Sequence, residues 1–271
     1  MNRLFLCFIV FAAALISLAA SPMKLRLACY NVQHCAGLPV KVEGVADGMS
    51  LIADAIKREK PDFIGLNEID RKTRRMGYLD CPSELGRRTG LHATFAKAIP
   101  YQDGGYGVAV LSREKPISVL RVPLPGKEKR VLLLCEFADF WFGTTHLDFG
   151  RFQLMAVDVI RGIVQEKAAS KPVFLTGDWN AVPDSQTLKA IKGFMTVISD
   201  EHSCTFHARK DYPSGKEYCI DYIAVDSAHS GNCRVIEKHV TKDIVASDHN
   251  LVAVEIAFDG KCGKKAVRNV E

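Results

Sequence analysis

The 271-residue sequence contains no C-x-x-C pair, no G-x-x-x-x-G-K-[ST] loop, no G-x-S-x-G turn, no internal repeat and no low-complexity linker. The missing C-x-x-C disfavours a zinc ribbon or a thioredoxin-type redox centre. Without the glycine-rich phosphate loop there is no P-loop nucleotide site, and without the serine turn Ser247, near His249, is a poor hydrolase nucleophile. Charge of one sign is also scarce. The 36 Lys and Arg stand against 31 Asp and Glu, and a net +5 does not mark a nucleic-acid binder by bulk electrostatics. No Pro/Gly-rich boundary divides the chain. Hydrophobic residues make up 48% and charged residues 25%, proportions that exclude disordered, collagen-like and multi-span membrane classes.

The one long apolar run covers residues 4–18, after Arg3 and before Ala19-Ala20-Ser21. It falls short of the ~20 residues a membrane span needs. With its charged start and small-residue end it reads as a secretory signal over residues 1–20. The sequence therefore predicts an exported protein, periplasmic or secreted and bacterial, with one catalytic domain over 21–258 and a loose polar tail over 259–271. Of the eight cysteines beyond the leader, Cys29, Cys135 and Cys219 sit in apolar strand-like stretches and read as buried thiols. The sequence selects no disulfide pairing.

Short apolar runs at 25–30, 63–66, 108–111, 131–137, 140–144, 173–176, 220–225 and 251–256 read as strands bounded by Gly, Pro, Asp or Asn. Three segments read as helices. Residues 49–60 stop before Pro61, 83–89 start at Ser83 as a cap, and 151–168 carry Phe152, Met155, Ala156, Val159, Ile160 and Ile163 at helical spacing. Strands outnumber helices, and helices separate strands at only a few places. This predicts an α/β (α+β) architecture, two mixed sheets face to face with helices outside.

The informative polar residues all lie at the ends of these runs. Asn31 follows the first, Glu68 the second, His146 and Asp148 the fifth, and Asp178 and Asn180 the sixth, while Asp248 and His249 precede the last. Ends of stiff strands hold side chains in fixed positions, so separate segments can converge on one cleft. Glu68, Asn31 and Asp248 are hard oxygen donors suited to Mg²⁺. A histidine oriented by a carboxylate moves protons or polarises a phosphoryl oxygen, and side chains such as Asp178 and Asn180 orient water and stabilise developing charge. Metal-assisted hydrolysis of a phosphate ester is the chemistry that uses this set.

Five segments, Phe63-Ile64-Gly65-Leu66-Asn67-Glu68-Ile69-Asp70-Arg71, Thr144-Thr145-His146-Leu147-Asp148, Gly177-Asp178-Trp179-Asn180, Ile220-Asp221-Tyr222-Ile223 and Ser247-Asp248-His249, resemble the endonuclease/exonuclease/phosphatase superfamily, in its order. The resemblance implies a four-layer α/β/β/α sandwich, DNase-I-like, and a Mg²⁺ (or Mn²⁺) cofactor. It implies Glu68, Asn31 and Asp248 at or near the metal. It also implies His146 at the scissile phosphate, Asp178 and Asn180 aligning the water, and His249 as the catalytic histidine oriented by Asp221. The chain departs from the family at Val108, where Asn is frequent, which places Val108 on a cleft wall, and at Asn67, where Gln is commoner.

Arg71, Lys72, Arg74 and Arg75 follow Glu68 closely, and Arg71, nearest the metal ligand, is expected to bind substrate; Tyr106, after two glycines, is expected at the cleft mouth. His34, His92, His202, His207, His229 and His239 show no partner pattern. The reading is an exported phosphodiesterase or phosphatase, monomeric and without a stable protein partner. Its substrate would be a phosphorylated small molecule, a lipid head group or a nucleic acid. A catalytically silent binding module on the same fold would predict lost ligands, and a zinc hydrolase would predict a set richer in His and Cys.

Overall fold

The structure, a computed structural model, describes residues 22–35, 47–207, 217–241 and 246–259. The expected leader and residues 260–271 of the expected tail lie outside them. In chain order the elements are β1 (Met23–Asn31), α1 (Gly48–Glu59), β2 (Phe63–Arg71), α2 (Cys81–Thr89), β3 (His92–Tyr101), β4 (Gly104–Ser112), β5 (Ser118–Leu124), β6 (Arg130–Glu136) and β7 (Trp141–Thr145). There follow α3 (Arg151–Ala168), β8 (Val173–Asp178), α4 (Gln186–Lys192), β9 (Met195–Val197), β10 (Phe206–His207), β11 (Glu217–Tyr218), β12 (Asp221–Asp226), β13 (Cys233–Thr241) and β14 (Leu251–Phe258).

Two six-stranded sheets form, ordered β13-β14-β1-β2-β4-β3 and β5-β6-β7-β8-β12-β9, with β10 and β11 as a separate ribbon. Each large sheet has one parallel pair at its centre, β1 with β2 and β7 with β8, and antiparallel pairs elsewhere. A parallel pair needs a crossover, and α1 and α3 supply the two.

The two-residue period of each strand divides its side chains between layers. Leu25, Leu27 and Cys29 of β1 and Val131, Leu133 and Cys135 of β6 meet in the core between the sheets, packed around six phenylalanines. Ala28 and Tyr30 point the other way, against Ile52 and Ile56 of α1 and Leu85 of α2. On the far side, Leu132, Leu134 and Leu175 pack against Ala156, Val157 and Ile160 of α3 and Leu188 of α4. This is the α/β/β/α sandwich that the sequence implied.

Several details differ from the sequence reading. Helix α2 begins two residues earlier than expected, and Asp80 is its cap, accepting from the Ser83 backbone N–H at 3.3 Å. A carboxylate three residues upstream does the work assigned to the Ser83 hydroxyl. On α3, Met155 and Val159 face solvent, and Val157 and Val164 take the buried positions instead. Val108 lies in the inter-sheet core, not on a cleft wall. The seven described cysteines beyond the leader, Cys29, Cys135 and Cys219 among them, are all free thiols.

Gly65, on β2, marks the place where the sheets come closest. A Cβ there would lie 2.0 Å from Thr176 Oγ1 and 2.7 Å from Thr144. The close approach lets Asn67 span the gap, two residues on. Its amide donates to Thr144 Oγ1 at 3.2 Å and to the Thr145 carbonyl at 3.1 Å, and its Oδ1 accepts from the Asp178 backbone N–H at 2.9 Å.

Candidate active site

Both parallel pairs end at the same edge of the sandwich. Asn31 closes β1, Glu68 lies in the last part of β2, His146 follows β7 and Asp178 closes β8. Asp221 opens β12, which runs back against β8, and His249 precedes β14, which runs back against β1. Together with Tyr106, Asp248 and Asn180, the residues Glu68, His146, Asp178 and His249 line one cavity of about 530 Å³.

Local backbone turns aim two of these side chains. Glu68 has φ of 56°, in an irregularity where the β2–β4 register shifts between Leu66 and Ile69. Asn180 has φ of 48°. Left-handed backbone costs roughly 1–2 kcal/mol for an ordinary side chain and less for Asn. Asn180 is held there by its own N–H to Asp178 Oδ1 at 2.9 Å, by its side-chain amide to the Leu147 carbonyl at 2.9 Å, and by Gln153, whose amide donates to the Asn180 carbonyl at 2.7 Å.

Asp178 is the hub. Its Oδ2 accepts from Asn31 Nδ2 at 3.0 Å and lies 3.4 Å from His146 Nε2 and 3.6 Å from His249 Nε2. Burial, and then the Asp221 charge, raise the Asp178 carboxyl to about 7. His249 Nδ1 sits 2.8 Å from Asp221 Oδ2. Burial alone would lower the imidazole, but the Asp221 carboxylate and its hydrogen bond outweigh that and raise it to about 10. His146 goes the other way, held well below the ordinary histidine value by burial and by the neighbouring charges of Arg130 and His249.

A divalent cation fits the donor set. Burial raises the Glu68 carboxyl, as expected of a carboxylate gathered with others around a place that suits positive charge. Glu68, His146 and Asp178 bring ligand atoms within 4.8 Å of one another, and Asp248 opens on the same cavity. The nearby Gln33 donates to Asp248 Oδ2 at 2.9 Å, while its own Oε1 is buried with no hydrogen-bond partner. Carboxylate and amide oxygens are hard ligands, the kind Mg²⁺ and Mn²⁺ take. Asn31 differs from expectation. Its Oδ1 accepts from the Gln33 N–H at 3.1 Å, and its amide nitrogen donates to Glu68 Oε1 at 3.1 Å and to Asp178, so it orients the carboxylates.

Arg71 does not reach this cavity. Its Nε donates to Asp80 Oδ2 at 2.9 Å, and it lines a separate groove with Lys72, Lys97 and Arg121. Arg75 is the basic residue that comes close. It lines a second cavity of about 290 Å³ that shares Glu68 and Tyr106 with the first. Its guanidinium is held by Asp70 and lies 4.6 Å from the centre of the Tyr101 ring. Three of the unassigned histidines have partners after all: His229 with Asp226 at 2.9 Å, His239 with Glu59 at 2.8 Å and His207 with Asn250 at 2.6 Å. Asp148 shapes the adjoining turn, its Oδ2 accepting from the backbone N–H groups of Lys127 and Glu128.

Sequence reasoning missed Arg130, Gln33 and Gln153. Arg130 lines the cavity, is buried, and places Nη1 3.3 Å from His146 Nδ1. Its only signal in the sequence was a charged run, Lys127 to Arg130, that reads as an exposed turn.

Residues 28–249 match the family model described as the endonuclease/exonuclease/phosphatase family. The chain belongs to this family. Among solved structures it is similar to a family member from Beutenbergia cavernae DSM 12333, at 20% identity with a TM-score of 0.65, over 87% of this chain and 72% of that one. It is similar to a mannosyl-6-phosphatase from Bacteroides thetaiotaomicron VPI-5482, at 18% identity and TM-score 0.65, over 86% of this chain and all (100%) of that one. The human Nocturnin catalytic domain, with a bound sulfate, is similar at 19% identity and TM-score 0.63, over 89% and 95% of the two chains. At these identities the likeness shows the shared family fold. No curated protein matches the sequence.

Proposed function

We propose that the protein is an exported, divalent-metal-dependent hydrolase of phosphate esters, acting on a phosphorylated small molecule. The observation that carries this reading is the convergence of Asn31 Nδ2, His146 Nε2 and His249 Nε2 within 3.6 Å of the one oxygen, Asp178 Oδ2. A carboxylate raised to about 7 takes a proton from water near neutral pH. Asp221 keeps His249 charged, so its Nε2–H faces the place where negative charge grows on phosphorus. Asn180, fixed by Leu147 and Gln153, holds its side chain beside His146. When bound, a hard divalent cation at Glu68, with Asp248 close by, neutralises charge on the phosphoryl oxygens.

The small-molecule reading is supported by the rim of the cavity, which carries Phe149, Val182, Phe206 and Tyr218. Apolar and aromatic walls suit a compact leaving group. A nuclease is the second reading, and the groove with Arg71, Lys72, Lys97 and Arg121 favours it. That groove shares no lining residue with the Asp178 cavity, so the small-molecule reading stands first.

The test is a substrate panel of sugar phosphates, inositol phosphates, a lipid head-group diester and single- and double-stranded DNA, each with Mg²⁺ or Mn²⁺. Turnover of a small ester with little change upon Arg71→Ala supports the reading. Turnover confined to DNA, lost with Arg71→Ala and falling steeply with salt, replaces it with the nuclease.

A further inference from the structure

We propose that Arg130 is a positioning residue that locks His146 in its neutral form with the proton on Nε2, making His146 a fixed hydrogen-bond donor to a phosphoryl oxygen. The proposal rests on the phosphate-ester reading for the identity of the acceptor. The tautomer itself follows from geometry.

A guanidinium carries only donors. Arg130 Nη1 stands 3.3 Å from His146 Nδ1, so Nδ1 must offer its lone pair. A neutral imidazole with Nδ1 free carries its proton on Nε2. Charging the ring would set a second N–H against the guanidinium, in a place where both residues are buried. Nε2 faces the cavity side, 3.4 Å from Asp178 Oδ2 and 3.0 Å from Asn180 Nδ2, whose own N–H goes to the Leu147 carbonyl at 2.9 Å. An Nε2 that carries a proton ligates no metal, so His146 leaves the cation to the carboxylates.

The chain holds Arg130 in place from the other side. Glu128 Oε1 accepts from Arg130 Nη1 at 2.8 Å. The turn that bears Glu128 is pinned by Asp148, two residues after His146, through the Lys127 and Glu128 N–H groups. Gly126 permits that turn, since a Cβ there would meet the Glu128 carbonyl oxygen at 2.1 Å. Asp148, Glu128, Arg130 and His146 thus form one relay that returns to the residue beside its start. The two histidines of the site acquire opposite states from partners of opposite sign, Asp221 for His249 and Arg130 for His146.

The deciding experiment is long-range ¹H–¹⁵N NMR on the full chain labelled with ¹⁵N-histidine, with His146→Gln to assign the ring. The expected wild-type spectrum shows His146 with a protonated Nε2 and an unprotonated Nδ1. A ring protonated at Nδ1, or at both nitrogens, overturns the proposal. In Arg130→Met the signature should be lost and kcat should fall on the order of 10- to 100-fold, while Arg130→Lys should keep the signature and most of the rate. An unchanged tautomer and rate in a folded Arg130→Met also overturns it. If Arg130→Met does not fold, the wild-type spectrum still decides. If no phosphate ester is turned over, the function reading fails, while the spectrum tests the tautomer separately.

Discussion

Asp178 and Asp221 stand directly opposite each other in the antiparallel register of β8 and β12, both buried. Two carboxylates so placed cannot both ionise unless positive charge comes to them. His249 supplies it to Asp221 at 2.8 Å, and Asp178 is left with a raised carboxyl and three polar hydrogens aimed at or near it. The acid–base character of the site therefore comes from strand register as much as from residue type.

Asp221→Asn tests this relationship. The amide fills the same space but removes the charge that keeps His249 protonated. The kcat should fall about 10²- to 10⁴-fold, with the circular dichroism spectrum and thermal midpoint little changed. An unaltered rate would show that the Asp221–His249 pair is not part of the chemistry.

Stability should depend on pH in a defined direction. Asp178 is raised from 3.8 to about 7 and His249 from 6.5 to about 10, so both hold protons more tightly folded than unfolded. A raised folded value gives stability that is complete below the unfolded value and is lost as pH rises through the folded one. The metal-free protein should therefore lose stability between about pH 4 and pH 10 on account of this pair. Mg²⁺ offsets the exposed carboxylate charge, so its stabilisation should be greater at pH 8 than at pH 5. Thermal melts with and without Mg²⁺ at the two pH values measure it. A larger shift at pH 5 would reverse the sign and refute the argument.

Asn67→Ala should destabilise the fold by about 2–4 kcal/mol, because it strands the buried Asp178 N–H and the Thr145 carbonyl, each costing ~1–3 kcal/mol. Denaturant titration checks it. A cost well under 1 kcal/mol would mean the inter-sheet bridge is replaced by water.

The strands that could be read from the sequence are the ones buried on both faces. All eight apolar runs became strands, and seven of the eight lie inside a sheet or border its centre, where a continuous Val, Ile, Leu and Phe pattern is required. The strands missed include all four sheet edges, β13, β3, β5 and β9. Edge strands are half solvated and carry mixed sequences such as Arg234, Glu237 and Lys238 on β13. They leave no apolar run to find.

The site was legible where its residues sit at the ends of central strands, as with Glu68, Asp178 and His249. Arg71 was placed there by nearness in sequence alone. Strand alternation sends its side chain away from the cavity toward Asp80, and Arg75 comes round through a turn instead. Arg130 was hidden for the opposite reason. It lies 16 positions from His146 and meets it only because β6 and β7 pair side by side.

The most direct test of the central claim is hydrolysis of p-nitrophenyl phosphate and bis-p-nitrophenyl phosphate by the purified protein, with Mg²⁺ or Mn²⁺, with chelator, and with His249→Ala. The account predicts turnover of at least one ester, abolished by chelator, restored by the cation and lost in the folded variant. Turnover that survives both the chelator and His249→Ala would contradict it.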